Sequence, residues 1–238
     1  MKFIPYGGHD ISNSDVKSVI SALKENIITS GSKVREFESK INKYLDCKYS
    51  VACNSGTSAL FLAMQALGIK KGDNIIMPSI TFIASYNVSK LFNAKIFLAD
   101  VDRYTGQMKP QNVEECCKKF NIKNIKAIVT MYNGGFPENA SMFYKLKKKY
   151  NCFIIEDACH ALGAYYKINN KTFKIGSCKH SDISTFSLHP LKTITTAEGG
   201  IVTTNSKKIA NKLQVLRSLG ITRKKKHWEY DIKNIGLN

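Results

Sequence analysis

Several common sequence features are missing from these 238 residues. No apolar run approaches the ~20 residues that span a bilayer, and the first residues lack the apolar stretch of a signal peptide. The seven cysteines form no Cys-x-x-Cys pair and no Cys/His cluster with zinc spacing, so we expect reduced thiols and no metal site. These absences predict a cytoplasmic protein without a membrane segment.

Acidic residues are also scarce, because 18 Asp and Glu stand against 36 Lys and Arg, a net charge of +18 at pH 7. Such an excess is typical of nucleic-acid-binding proteins. The lysines are spread over nearly every predicted helix, however, and no nucleic-acid-binding motif accompanies them. We therefore expect no nucleic-acid partner, although the positive potential favours an anionic ligand.

The hydrophobic pattern alternates between helical and strand periodicity. The predicted helices lie at 13–27, 34–45, 58–68, 83–92, 111–120 and 140–150. The predicted strands lie at 49–53, 74–78, 94–98, 125–130, 152–155, 182–188 and 201–204. This alternation predicts one α/β domain over residues 1–238, built on a mainly parallel sheet with helices on both faces. Ligands bind at the carboxyl ends of the strands in such sheets.

The stretch Phe186–Gly200 sets Lys192 between an apolar strand and a turn of small residues. We expect the end of that strand to be buried, where lost hydration favours the neutral amine that attacks an aldehyde. This is the position of a Schiff-base lysine. A surface lysine is the alternative, in a chain with many lysines.

A second stretch, Phe153–His160, is a short apolar run that ends in the carboxylate of Asp157. A carboxylate at a strand end suits a buried cation such as the protonated pyridine nitrogen of pyridoxal phosphate. A helix N-cap or a salt bridge at the strand end is the alternative for Asp157. Cys159 lies beside His160, and we expect the two side chains to point to opposite faces of a strand, which disfavours a catalytic cysteine.

A third stretch, Asn54–Leu60, turns from a strand into an apolar helix. Small residues at a helix N-terminus leave free N–H groups that bind an oxyanion. No Gly-Lys-Ser/Thr follows, so a nucleoside triphosphate is not indicated. The alternative is a plain capped helix without an anion.

Together and in this order, the three stretches resemble the DegT/DnrJ/EryC1/StrS sugar aminotransferases, which are fold-type-I enzymes that use pyridoxal 5′-phosphate. The resemblance covers the whole chain and includes further matching segments at 4–7, 28–31, 78–82, 100–102, 216–223 and 228–230. It implies the large domain of that fold, a mainly parallel seven-stranded sheet between helices. It also implies amino transfer to a nucleotide-linked 4-keto-6-deoxy sugar, L-glutamate as amino donor, and a homodimer.

The resemblance assigns roles to individual residues. Lys192 holds the cofactor and shuttles the proton, Asp157 pairs with the pyridine nitrogen, and His160 reaches the ring hydroxyl. Phe82 stacks on the ring, with a core phenylalanine as the alternative, just as a structural histidine is the alternative for His160. The residues implied to hold the phosphate are Gly56, Thr57, Ser187 and, toward the adjacent subunit, Asn238.

The sequence departs from the family pattern in two places. It stops at Asn238 inside a family motif, so we expect a cofactor-binding large domain with an N-terminal helical segment, no C-terminal small domain, and no activity from this chain alone. The amino-acid sequence of the turn at 132–137 also differs from that of the corresponding family turn. Two rival functions stay open: a dehydratase relative, which carries His at the lysine position, and a non-catalytic binding protein of the same fold.

Overall fold

The computed structural model describes residues 3–5, 7–223, 226, 228–232 and 234–237, with only the backbone described at Arg223. The helices are α1 (Asn13–Leu23), α2 (Ser32–Leu45), α3 (Gly56–Ala66), α4 (Ile83–Leu91), α5 (Pro110–Lys119), α6 (Ala140–Tyr150) and α7 (Lys207–Arg217). The strands are β1 (Tyr49–Cys53), β2 (Asn74–Pro78), β3 (Lys95–Ala99), β4 (Ala127–Met131), β5 (Phe153–Asp157), β6 (Tyr165–Ile168), β7 (Lys171–Lys174), β8 (Ile183–Ser187), β9 (Gly200–Thr204), β10 (Ile221–Arg223) and β11 (Tyr230–Ile232).

The central sheet has seven strands in the order β1-β9-β8-β5-β4-β2-β3. Only β9 runs against its neighbours, since it pairs antiparallel with both β1 and β8. The other pairs in the sheet are parallel. The predicted mainly parallel seven-stranded sheet is therefore confirmed, and the carboxyl ends of β1, β8, β5 and β4 meet at one edge.

Helices cover both faces of this sheet. Along β2, Ile75 and Met77 pack into one buried cluster with α3, whereas Ile76 packs into a second cluster with α5 and α6. Alternate residues of a strand point to opposite faces, so a strand buried on both sides needs a continuous apolar run. A third cluster beneath α2 contains Phe186 and Ile201.

Helix α3 is the central helix, and its composition explains its position. It is apolar around most of its circumference, with Ala59, Leu60 and Ala63 buried among others, which is the pattern of a helix enclosed by other elements. It packs on β8 and β9 and against α4 and α7. This packing fixes the N-terminus of α3 beside the carboxyl end of β8.

Several elements differ from the sequence prediction. Helix α1 ends at Leu23 and not at residue 27, and it buries none of its side chains. The hairpin β6–β7 was not predicted; its strands pair antiparallel around Asn169 and Asn170, which both have positive φ. Helix α7 was also missed, although Ser206 caps it by accepting a hydrogen bond from the Ile209 N–H at 3.4 Å.

Candidate active site

A cleft of about 630 Å³ opens at the carboxyl ends of the central strands, beside the N-terminus of α3. Seven of the eight residues predicted from the sequence line it: Gly56, Thr57, Phe82, Asp157, His160, Ser187 and Lys192. The eighth, Asn238, lies outside the described residues. Segments far apart in the chain thus converge on one site.

Lys192 lies in the turn that joins β8 to β9. The Lys192 N–H donates to the His189 carbonyl at 2.9 Å, and the Thr195 hydroxyl donates to the Leu188 carbonyl at 3.0 Å. These bonds hold the turn over the strand end. We expected Lys192 to be buried at the end of the strand, but its side chain is only half-buried. The residue lies in the turn after β8 and lines the cleft.

Asp157 is the last residue of β5 and is 2% exposed. Its Oδ2 accepts a hydrogen bond from the Ser85 hydroxyl at 3.0 Å, and its Oδ1 accepts one from the Cys159 N–H at 3.3 Å. Turns, and no helix, directly follow β5 at 158–164, and Asp157 forms no ion pair with a described residue, so neither alternative for this carboxylate is observed. A buried carboxylate with spare acceptor capacity favours a cationic or N–H partner in the cleft.

The N-terminus of α3 forms a small cradle. Ser55 caps the helix, since its Oγ accepts a hydrogen bond from the Ser58 N–H at 3.1 Å. The N–H groups of Gly56 and Thr57 bond to no described residue and remain available at the positive end of the helix dipole. A Cβ added at Gly56 would lie 2.8 Å from the Cβ of Ser187, so only glycine fits this approach of helix to strand. The helix is therefore both capped and open to an anion.

His160 and Phe82 lie on the walls of the cleft. Burial, followed by the nearby Lys192 charge, lowers the pKa of His160, so its imidazole is neutral near pH 7. Phe82 is 61% exposed just before α4, which contradicts the alternative of a core phenylalanine. Its ring is free to contact a planar ligand in the cleft.

Cys159 is placed differently from the sequence expectation. Cys159 and His160 follow the end of β5 in a turn, and both line the cleft, so the argument from opposite strand faces is wrong. Burial and the Asp157 charge nevertheless raise the pKa of the Cys159 thiol far above its usual range. The thiol stays protonated and is a poor nucleophile for this electrostatic reason.

Three polar residues of the site were missed in the sequence. Ser85, on α4, holds Asp157, while His189 and Glu198 line the cleft on either side of Lys192. His189 and Glu198 fall within the lysine motif, so their spacing from Lys192 was a usable signal. Nothing local marks Ser85, because its contact with Asp157 joins residues 72 positions apart.

Two searches of the described residues bear on other kinds of site. No group of three or more His, Cys, Asp or Glu side chains in that part of the chain could hold a metal ion. In the same residues, no helix is long and apolar enough to cross a membrane.

The protein therefore has an α/β fold with one cleft, which is lined by the open N-terminus of α3, the buried carboxylate of Asp157 and the amine of Lys192. Residues 9–238 match the family model of the DegT/DnrJ/EryC1/StrS aminotransferases. The chain belongs to this family.

The known proteins that this chain resembles are longer than the chain itself. It is 40% identical over 235 residues to the UDP-4-amino-4,6-dideoxy-N-acetyl-β-L-altrosamine transaminase of Campylobacter jejuni subsp. jejuni serotype O:23/36 (strain 81-176), covering 99% of this chain and 60% of that protein. A solved structure of Helicobacter pylori PseC, an aminotransferase involved in the biosynthesis of pseudoaminic acid, superposes with a TM-score of 0.88 at 29% identity, covering 99% of this chain and 61% of that one. The sugar aminotransferase Spr1654 from Streptococcus pneumoniae, in its PLP form, gives 0.85 at 27% identity, covering 98% and 62%. The chain thus spans about 60% of the length of the curated relatives it matches.

Proposed function

We propose that residues 1–238 form the cofactor-binding large domain of a pyridoxal phosphate-dependent sugar aminotransferase. One observation carries the proposal: a single cleft brings together the Lys192 amine, the buried Asp157 carboxylate and the open N-terminus of α3. These are the three kinds of group that bind an aldehyde, a pyridine nitrogen and a phosphate.

The donor set and the shape of the site fit pyridoxal phosphate. The cradle of Gly56, Thr57 and Ser187 offers backbone N–H and hydroxyl donors to a phosphate, and Gly56 leaves the space that a side chain would fill. Phe82 offers an aromatic face to the ring, and His160 offers a neutral imidazole to its hydroxyl. Asn238 matches a family asparagine that reaches the phosphate of the adjacent subunit, and we propose the same role for it.

Asp157 and Lys192 have separate roles in the proposed reaction. Bound pyridoxal phosphate supplies an electron sink for breaking a bond at the carbon that carries nitrogen. Asp157 would hold the pyridine nitrogen in its protonated form, because a buried carboxyl group with only two hydrogen-bond donors favours a cationic N–H partner. Lys192 would supply the amine that holds the cofactor aldehyde, and its Nζ would serve as the acid–base group that moves the proton.

The substrates are proposed from the relatives. We assign a nucleotide-linked 4-keto-6-deoxy sugar, with UDP as the nucleotide, because the similar Campylobacter protein is named for a UDP-linked amino sugar. L-Glutamate is the proposed amino donor, and a homodimer the proposed assembly. Lys192 argues against the dehydratase alternative, whose relatives carry His at this position.

Covalent trapping of the cofactor tests this proposal. The purified chain is incubated with pyridoxal phosphate, reduced with sodium borohydride, digested and mapped by mass spectrometry. We expect one phosphopyridoxyl group on Lys192. The Lys192→Arg variant keeps a positive charge in the cleft but lacks a reactive amine, so it should lose the label. The matched control is Lys179→Ala, which removes a lysine that pairs with Asp46 at 3.2 Å, and should label like the parent.

Three results would contradict the proposal. Labelling on Lys174 or Lys179 in place of Lys192 would show that the amine of the cleft is not the reactive one. Equal labelling of the parent and Lys192→Arg would show non-specific modification of a lysine-rich surface. Absence of any absorbance change with pyridoxal phosphate would favour a non-catalytic protein.

A further inference from the structure

Glu156 is a second acidic residue at the end of β5, next to Asp157. Adjacent strand residues point to opposite faces of a sheet, so Glu156 faces away from the cleft. It is 3% exposed. The Tyr132 hydroxyl donates to its Oε1 at 2.9 Å, and the Ser184 hydroxyl contacts its Oε2. The proposed reaction uses none of these groups directly.

The surroundings of the Glu156 carboxyl are neutral. No Lys, Arg or His of the described chain forms an ion pair with it. The groups that face it are the side chains of Tyr132, Tyr166, Cys178, Ser181 and Ser184 and the backbone N–H of Gly176. An isolated ionised carboxylate in such a place is strongly unfavourable, and the group takes up a proton instead. Burial accordingly raises the pKa of Glu156.

The hydrogen bonds of Glu156 suit a protonated carboxyl. Tyr132 donates to one oxygen, which then serves as the carbonyl oxygen of the acid. In the neutral acid the other oxygen, Oε2, would carry the proton and donate to Ser184 Oγ, which lies within hydrogen-bond distance of it and 3.3 Å from a possible acceptor, Ser181 Oγ. Every polar atom of the carboxyl is therefore satisfied without a charge.

These contacts join three strands at the floor of the cleft. Tyr132 directly follows β4, Glu156 lies on β5 and Ser184 lies on β8. In the sheet, Met131 is paired with Asp157 and Ser184 with Glu156. Each of the three strands contributes a cleft residue within three positions of the network, namely Met131, Asp157 and Ser187.

We propose that Glu156 is a positioning residue that acts as a neutral carboxylic acid: it ties β5 to β4 and β8, fixes the Asp157 carboxylate in the cleft, and adds no second charge behind it. The role rests on the proposed function, because the partner of Asp157 is the cofactor. A neutral Glu156 leaves the electrostatic effect on the pyridine nitrogen to Asp157.

The conservative variant Glu156→Gln tests the role first. Its amide has a carbonyl oxygen for Tyr132 and an N–H for Ser184, so we expect its dissociation constant for pyridoxal phosphate within threefold of the parent value. Glu156→Ala removes both links and should bind at least tenfold more weakly. Glu156→Ala also leaves a cavity that could prevent folding, so Tyr132→Phe serves as a second variant. This substitution removes only the hydroxyl that donates to Glu156. It should weaken cofactor binding by less than Glu156→Ala does. Binding by Glu156→Gln as weak as by Glu156→Ala would overturn the role.

The pH dependence of unfolding tests the charge state separately, without the cofactor. A folded-state pKa raised above the unfolded value near 4.3 means that the parent loses stability, relative to Glu156→Gln, as pH rises. The ratio of unfolding constants, parent over variant, should rise with pH above the unfolded pKa, by up to about tenfold per pH unit, and level off above the folded-state pKa. Burial raises the pKa values of Tyr132, Tyr166 and Cys178, so these groups stay protonated in the folded protein below neutral pH, and the nearby His180 is present in both proteins.

The outcomes separate the two proposals. A ratio that does not change with pH shows an ionised Glu156 and overturns the neutral-acid assignment, whatever the cofactor does. If the parent binds no pyridoxal phosphate, the proposed function fails and the positioning role with it, while a ratio that rises with pH would still establish the neutral acid.

Discussion

Helix α3 approaches strand β8 closely at Gly56, where one added methyl group is a direct test of the proposed phosphate cradle. A Cβ at this position lies 2.8 Å from the Cβ of Ser187 and 3.2 Å from the Sγ of Cys159. The Cβ of Ser187 is rigidly attached to the sheet and cannot rotate away. In Gly56→Ala the first turn of α3 must therefore move off β8 by about 0.6 Å to restore an ordinary contact of 3.4 Å.

The size of the effect follows from this displacement. Overpacking of a tight contact costs ~1–3 kcal/mol, and alanine recovers ~0.5–1 kcal/mol of helix propensity, so we expect a net loss of ~1–2 kcal/mol in the free energy of unfolding. The same shift moves the N–H groups of Gly56 and Thr57 away from the phosphate. Loss of one hydrogen bond to a charged group is worth ~1.5–3 kcal/mol, which corresponds to about 10- to 100-fold weaker binding.

The assay is an absorbance titration with pyridoxal phosphate together with urea unfolding. Gly8→Ala is the matched control, because it makes the same chemical change where no atom lies within 4 Å of the new Cβ, and it should leave both measurements unchanged. The double variant Gly56→Ala/Ser187→Gly removes the 2.8 Å contact, so its second substitution should cost less stability than Ser187→Gly alone. An unchanged dissociation constant and unfolding midpoint in Gly56→Ala would refute the cradle.

Asp157→Asn should keep cofactor binding within about tenfold but slow the half-reaction with L-glutamate about a hundredfold, because the loss of ring protonation by about two pK units is equivalent to that factor. Stopped-flow absorbance measures the rate. Ser85→Ala is the milder control, because it removes only the hydroxyl that is bonded to Asp157. An unchanged rate in Asp157→Asn would show that Asp157 has only a structural role. In the loop before α5, the hydrogen bond from Lys109 and those from backbone N–H groups lower the pKa of Asp102 to about 2. Its stabilisation is present above about pH 3.8 and is lost as pH falls toward 2. Lys109→Met should raise the Asp102 titration midpoint, measured by carboxyl carbon NMR, and an unmoved midpoint would show that the backbone N–H groups alone set it.

Much of the fold could be predicted because its signals are local. The predicted bounds of β1 and β2 are the observed ones, β3 is shifted by one residue, and β5 ends two residues later than predicted. A continuous apolar run marks a strand such as β2 that is buried on both faces. The hairpin β6–β7 escaped prediction because its strands are half exposed and lack such a run. The direction of β9 was equally hidden, because strand propensity does not record which neighbour a strand pairs with.

The candidate active site also combines features that local sequence patterns predict with features that depend on contacts between distant segments. Lys192, Asp157 and Gly56 could be proposed individually, each beside a structural alternative, because each local motif also occurs without a ligand. Their convergence was predictable only through the order of the motifs and the rule that ligands gather at the ends of parallel strands. Ser85 could not be found this way, because its contact with Asp157 spans helix α4 and strand β5.

The amino-acid sequence by itself determined the chemical groups of this protein, its alternating helices and strands, and its family pattern, since these depend on residue identity and short-range periodicity. Only the tertiary structure decided how those groups behave. Burial at the end of β5 keeps the Cys159 thiol protonated and raises the pKa of Glu156, while the turn after β8 leaves Lys192 half-buried in the cleft. The physical reason is that desolvation and charge pairing depend on distances between segments far apart in the chain, which no local pattern contains.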